Sequence, residues 1–368
     1  MLEKAGYSLG IGGGLAVLAF IPLLVWQYRR YGAFQPARMA WLASGFVYLT
    51  ALIAYTLFPL PDMSGDFCAT HSVGVVLDPT EYFRMMARNL AGLSLQEALL
   101  SWDVLQMVFN VALFVPLGIW FSDFLVIRAW KGIPLGFCCS LFIEATQYTG
   151  NWGLMACRYR VADVNDLITN TTGTIVGYLI ALLIPRFVAR PVYLRKRRNM
   201  ARPITRGRRW TSMLLDVVAW LMAWGVLYAG FTIGYLMLIG MTASLADRQA
   251  AVAQAFASCA TAAGLLVAIP PALSPSGASL GQRIVFLRPV ARHRWQLLAR
   301  ALAVQGAGAI AMSAPTAVAI PLMMWVVAAV CSVIWTPRGL SCVISGCTMT
   351  DARSLPANRA RAVADSPA

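Results

Sequence analysis

Three stretches of this chain carry hydrophilic side chains inside otherwise apolar runs. Asn110 stands in the run from Val104 to Trp120. Glu144 and Gln147 lie three residues apart, on one face of a helix. Asp163, Asp166 and Asn170, at i, i+3 and i+7, form a stripe preceded by Arg158 and Arg160. Carboxylates, amides and an arginine gathered this way can hold a cation or a polar headgroup. If the proton affinities of two carboxylates are pushed apart, the same groups can supply an acid and a base. The plainer alternative is an internal hydrogen-bond network that fixes helix register, with Arg160 neutralising the acids. Other chemistries find little material. His71 and His293 are the only histidines, the eight cysteines form no CxxC, and Gly10 to Gly14 lack the ending of a phosphate loop. No metal and no cofactor are expected. Cys68 and Cys157 fall in two loops expected on the oxidising side of a membrane, where a disulfide can join them.

The elements that must position these groups are membrane spans. The chain has 368 residues, 59% hydrophobic and 12% charged, with 30 Lys plus Arg against 15 Asp plus Glu. A soluble domain is about a quarter charged, so that class is excluded. A helix rising 1.5 Å per residue needs about twenty apolar residues to cross the hydrocarbon core. Seven runs qualify, near Leu9–Trp26, Met39–Phe58, Val104–Trp120, Gly132–Tyr148, Val164–Ile184, Ser212–Ile239 and Val252–Ile269. An eighth region, Ala301–Trp335, carries Pro315 and Pro321 and reads as one tilted span or a hairpin of two short ones. The fold class is all-α, a polytopic transmembrane bundle of about eight spans.

Basic residues in short loops mark the cytoplasmic side. Arg29, Arg30 and Arg38, then Arg128 and Lys131, and then Arg283–Arg300 with its five arginines are therefore placed inside. Pro59–Asp103, with two arginines and six acids, faces out, and the N-terminus is expected outside. Arg186–Arg209 has ten basic residues and no acid, so it reads as a cytoplasmic linker that attracts anionic lipids. Its few aromatics argue against nucleic acid. The expected organisation is residues 1–185, a basic linker 186–209, a second membrane domain 210–350 and a disordered tail 351–368. The outward loop also holds Ser94-Leu-Gln-Glu97, a capping box, with Tyr82, Phe83, Met86 and Leu90 at helical spacing before it.

The polar strings also carry a resemblance. Asn110-Val-Ala-Leu-Phe-Val-Pro-Leu-Gly118, Ile143-Glu-Ala-Thr-Gln147 and Arg160-Val-Ala-Asp-Val-Asn-Asp-Leu-Ile-Thr-Asn-Thr-Thr-Gly173 resemble the three signatures of the VanZ-like family, over roughly residues 40 to 185. That likeness implies a cell-envelope role and, from the founding members, an effect on teicoplanin-type glycopeptide sensitivity, without naming a reaction. In the C-terminal half, Arg209, Asp216 and Leu280-Gly-Gln-Arg-Ile284 are similar to hallmarks of the RDD family. Arg338-Gly-Leu-Ser-Cys-Val-Ile-Ser-Gly346 resembles its closing segment, with Ser341 and Cys342 where the family has a His-Asp pair. Residue spacing independently makes Arg208 or Arg209 the expected partner of Asp216.

The leading reading is a non-enzymatic cell-membrane protein whose outward cluster, Asn110, Glu144, Gln147, Arg160, Asp163, Asp166 and Asn170, binds an envelope precursor or another lipid-linked or cationic amphiphile. An RDD-type ion or lipid transporter is the second reading. A lipid-headgroup-modifying enzyme is the third.

Overall fold

The computed structural model describes residues 2–58, 60–62, 66–70, 74–183, 190–238, 244–336 and 339–354. It is an all-α polytopic protein. Its main helices are α1 (Leu2–Tyr31), α2 (Pro36–Leu57), α3 (Trp102–Ile119), α4 (Ala129–Tyr148), α5 (Val164–Leu183), α6 (Arg206–Leu238), α7 (Leu245–Leu273) and α8 (Thr316–Cys331). Among the described residues seven helices are long and apolar enough to cross a membrane. The sequence expectation had counted α4 as one more. That helix is 20 residues long, but Lys131, Ser140, Glu144, Thr146 and Gln147 dilute its apolar character. The chain forms two compact units, Met1–Leu24 with Gln35–Leu194, and Val25–Phe34 with Arg195–Ala368.

In the first unit, α3 and α5 run parallel and α4 runs antiparallel to both. Gly173 of α5 meets the Val111 carbonyl of α3, and Gly177 meets that of Val115. Gly118 in turn packs on the Thr174 carbonyl, and a Cβ added there would lie 2.9 Å from the Gly177 Cα. These contacts are backbone against backbone, so only glycine permits the approach. Such close seams drive helix association in lipid, where the hydrophobic effect between helices is missing. Down α4, Gly136 faces Thr174 and Gly132 faces Tyr178. Phe114, fully buried, packs with Leu117, Phe121, Ile143, Tyr178 and Leu52 below the polar end. Tyr48 of α2 donates to the Leu113 carbonyl at 2.9 Å, which fixes α2 against α3. Ser101 caps α3 through the Val104 amide, and a π-turn at Trp120–Phe124 ends it. Between α2 and α3, an amphipathic helix at Pro79–Leu90 is capped by Asp78. Leu95–Leu99 then opens with the Ser94/Glu97 capping box.

In the second unit, Trp220 of α6 donates to the Ala260 carbonyl of α7 at 2.8 Å, and Gly264 of α7 accommodates Ala309. Ser279 and Gln282 form a capping box for the short helix Leu280–Ile284. Strand β3 (Leu287–Val290) pairs antiparallel with β4 (Thr348–Asp351). The region 301–335 is divided. Helix runs from Arg294 to Ala311 through a π-segment at Leu302–Gly306, and after Ser313 and Ala314 α8 begins at Thr316 with Pro315 as its N-cap. The expected tail needs a correction at its start. Asp351 closes β4 and Ala352–Ser354 is a 3₁₀ turn, while residues 355–368 lie outside the described residues.

Candidate functional site

The polar stripe on α5 begins with its own cap. Oδ1 of Asp163 accepts from the Asn165 amide and the Asn165 side chain, both at 2.8 Å, which satisfies an otherwise orphaned N–H of the first turn. One turn on, Oδ1 of Asp166 accepts from Nδ2 of Asn110 at 2.6 Å, joining α3 to α5. Two turns on, Nδ2 of Asn170 donates to Oγ of Ser140 at 2.9 Å, joining α5 to α4. Ser140 donates its own hydroxyl hydrogen bond to the Asp166 main-chain carbonyl at 3.5 Å. The hydroxyl therefore has to accept from Asn170, and this sets the orientation of the Asn170 amide. Glu144, one turn along α4 from Ser140, accepts from the Asp163 amide through Oε2 at 3.0 Å. Gln147 donates to the Thr56 carbonyl at 2.8 Å, which brings in α2.

Several of these residues border an open cavity of about 690 Å³. Glu144, Gln147, Asn110, Asp166 and Asn170 line it together with Arg160 and Gln106, and Tyr55, Phe109, Leu113 and Ile143 supply an apolar wall. Asp163 does not line it, because its side chain is used as the cap. Arg160 does not neutralise the acids by direct contact. It donates to the Phe58 carbonyl at 3.1 Å and makes no ion pair among the described residues. Glu144, Gln147 and Asn170 are each less than 7% exposed. Among the described residues Oδ1 of Asn170 has no hydrogen-bond partner, and the same holds for Oδ1 of Asn165.

A short parallel pairing of β1 (Val75–Val76) with β2 (Ala162–Asp163) sets Val76 opposite Asp163. A disulfide joins Cys68 to Cys157 with 5.7 Å between their Cα atoms. Both links tie the segment between α2 and α3 to the loop that leads into α5. Arg158 lies over the Tyr148 ring at 4.0 Å. Sequence reading passed over Ser140 and Gln106. Spacing was the available signal, since Ser140, Glu144 and Gln147 sit at i, i+4 and i+7, and Gln106 is one turn before Asn110.

Residues 45–185 match the model of the VanZ/LLP1 family. No curated protein and no solved structure matches the chain. The VanZ-like segment takes in α3, α4, α5 and the C-terminal part of α2, and so every residue of the polar cluster. Together with the seven apolar helices, this likeness supports a multi-pass membrane protein whose N-terminal part is VanZ-like.

In the second unit, Arg209 and Asp216 do not form the expected pair. Oδ2 of Asp216 accepts from Ser279 Oγ at 2.7 Å and Gln305 Nε2 at 3.1 Å, and Oδ1 accepts from the Gly281 amide at 2.8 Å. Arg208 instead meets Asp351 at 2.8 Å and donates to the Val285 and Phe286 carbonyls. Asp351 also receives both the backbone and the side chain of Arg353, and the Arg202 amide. Burial alone would raise its proton affinity. The hydrogen bonds from Arg353 and Arg202 and the charge of Arg208 outweigh that effect, holding the carboxyl well below the usual carboxylate range. Arg209 is almost fully buried, and Arg338 lies outside the described residues. Among the described residues no group of three His, Cys, Asp or Glu side chains is placed to hold a metal ion.

Proposed function

We propose that the VanZ-like part is a non-enzymatic binding site, on the outward side of the membrane, for the headgroup of a lipid-linked or cationic amphiphile. The observation that supports this reading is the cavity itself, with carboxylates and amides on one side and Tyr55, Phe109, Leu113 and Ile143 on the other. A headgroup and the start of its apolar stem need both surfaces. The orientation rests on Arg29, Arg30, Arg38, Arg128 and Lys131, which mark the opposite ends of these helices as cytoplasmic. The basic stretch 186–209 then faces anionic lipids of the inner leaflet. In this reading the protein modulates sensitivity to surface-acting antibiotics of the glycopeptide type. The test compares a deletion strain with strains carrying Glu144→Gln or Asp166→Asn, by lipid profile and drug susceptibility. The proposal expects each substitution to reproduce the deletion phenotype at normal protein abundance. A wild-type phenotype at normal abundance would refute it.

A second reading, an RDD-type transporter, is favoured by one observation. Asp216 has no cationic hydrogen-bond partner among the described residues and borders a separate cavity of about 140 Å³ with Gln305, Trp220 and Met213. Flux in proteoliposomes that vanishes with Asp216→Asn would establish it.

A further inference from the structure

The polar side of the first cavity is short of donors. Glu144 uses Oε2 for the Asp163 amide, and Oε1 receives nothing among the described residues. Asp166 uses Oδ1 for Asn110, which leaves Oδ2 open among the described residues. Asn170 is 4% exposed, its amide orientation is set by Ser140, and its Oδ1 has no partner. Asn170 Oδ1 is the buried one of the three, and a buried acceptor without a donor costs roughly 1–3 kcal/mol in general, so a bound group that supplies a donor is favoured. Three open acceptors, two of them carboxylate oxygens, border one cavity. An anionic group would meet like charge there. A bare metal ion would leave most of 690 Å³ unfilled and would not use the apolar wall.

We propose that this cavity recognises a primary ammonium carried on an amphiphile, of the kind found in an ethanolamine phospholipid, its three N–H groups directed at Glu144, Asp166 and Asn170. This assignment rests on the amphiphile-binding reading above and specifies its headgroup. A primary ammonium has three donors and no acceptor, matching the deficit. A quaternary ammonium has the same charge and no N–H, so it leaves all three oxygens unsatisfied. Arg160 borders the same cavity and uses one Nη on the Phe58 carbonyl, leaving further N–H groups for the adjoining phosphodiester. Phe109, almost half exposed, opens the apolar wall to the lipid stem.

The test uses the full-length protein, with lipid retained after purification quantified by native mass spectrometry from mixtures of phosphatidylethanolamine, phosphatidylcholine and phosphatidylglycerol with identical acyl chains. The wild type is expected to retain the ethanolamine lipid at least tenfold over the choline lipid, and to select against the glycerol lipid. Asp166→Asn and Glu144→Gln should each lower that preference severalfold. Leu113→Trp, which fills the cavity from its apolar side, should abolish retention of all three. Equal retention of ethanolamine and choline lipids that is still lost in Leu113→Trp overturns the ammonium assignment and leaves the amphiphile site standing. Retention unaffected by Leu113→Trp overturns both. The wild-type comparison needs no substitution, so poor folding of a variant leaves the assignment open to refutation.

Discussion

Replacing Asp351 by Asn should cost about 3 kcal/mol of stability, near the low end of what breaking a buried ion pair costs. The carboxylate is 4% exposed and accepts from the Arg202 amide at 3.0 Å, from Arg353 N, Nε and Nη2 at 2.8, 2.9 and 2.7 Å, and from Arg208 at 2.8 Å. An amide offers one acceptor in place of two and turns an NH₂ toward guanidinium donors. Arg208, 8% exposed, then loses its counter-charge, although the Val285, Phe286 and Arg202 carbonyls still accept from it. That remaining solvation places the cost at the low end. The sign with pH follows from the lowered proton affinity of Asp351. Its stabilisation is fully present above the unfolded-chain value, about 3.9, and is lost as pH falls from there toward the lower folded value. Chemical unfolding in detergent, followed by tryptophan fluorescence at pH 7, 5 and 3, measures both effects. The gap between wild type and Asp351→Asn should be about 3 kcal/mol at pH 7 and 5, and should shrink by pH 3. A gap below 0.5 kcal/mol at pH 7 (roughly the noise of a neutral surface change), or one that widens on acidification, refutes the argument.

Three further outcomes follow from the geometry. Asn110→Leu removes the 2.6 Å contact to Asp166 and should destabilise by about 1.5–3 kcal/mol, as for hydrogen bonds to charged groups, read in the same unfolding assay. Gly177→Ala sets a methyl against the Val115 carbonyl and 2.9 Å from the Gly118 Cα, and should cost about 1–3 kcal/mol by overpacking. Gly225→Ala has open space around it and serves as the control, within about 0.5 kcal/mol of wild type; equal effects from the two would discount the seam. Peptide mapping without reductant should recover Cys68 linked to Cys157, while Cys68→Ser leaves Cys157 open to alkylation. Alkylation of both in the untreated wild type would contradict the bond.

The sequence made the all-helical class and most spans readable, because runs of about twenty apolar residues have few other uses. The polar face of α4 was readable too, since Glu144 and Gln147 are a helix turn apart. What stood against Asp166 was not. An amide two helices upstream and the backbone of its own helix are equally available to a carboxylate, and only the depth at which α3 and α5 meet decides for Asn110. The hydrogen-bond partner of Arg160 was not readable for a similar reason. Its charge favours the acids, but the chain delivers its fork to the Phe58 carbonyl. Asp351 stayed hidden because an acid at the head of a stretch rich in Ala, Arg, Ser and Pro has no periodicity to announce a strand. Its role depends on Arg208, 143 positions earlier, as the two residue numbers give.

The glycine notches between α3 and α5 work as a detent. Sliding one helix past the other by a single turn, about 5.4 Å, would drive Cβ-bearing residues into the carbonyls that Gly173 and Gly177 now clear. Part of the hydrophilic rim sits on the same two rods, Asn110 beside Val111 and Asp166 and Asn170 within two turns of Gly173, and therefore moves with that notch. A homologue that traded these glycines for larger residues would have to reposition that part of the recognition surface, so notch and rim should change together or not at all.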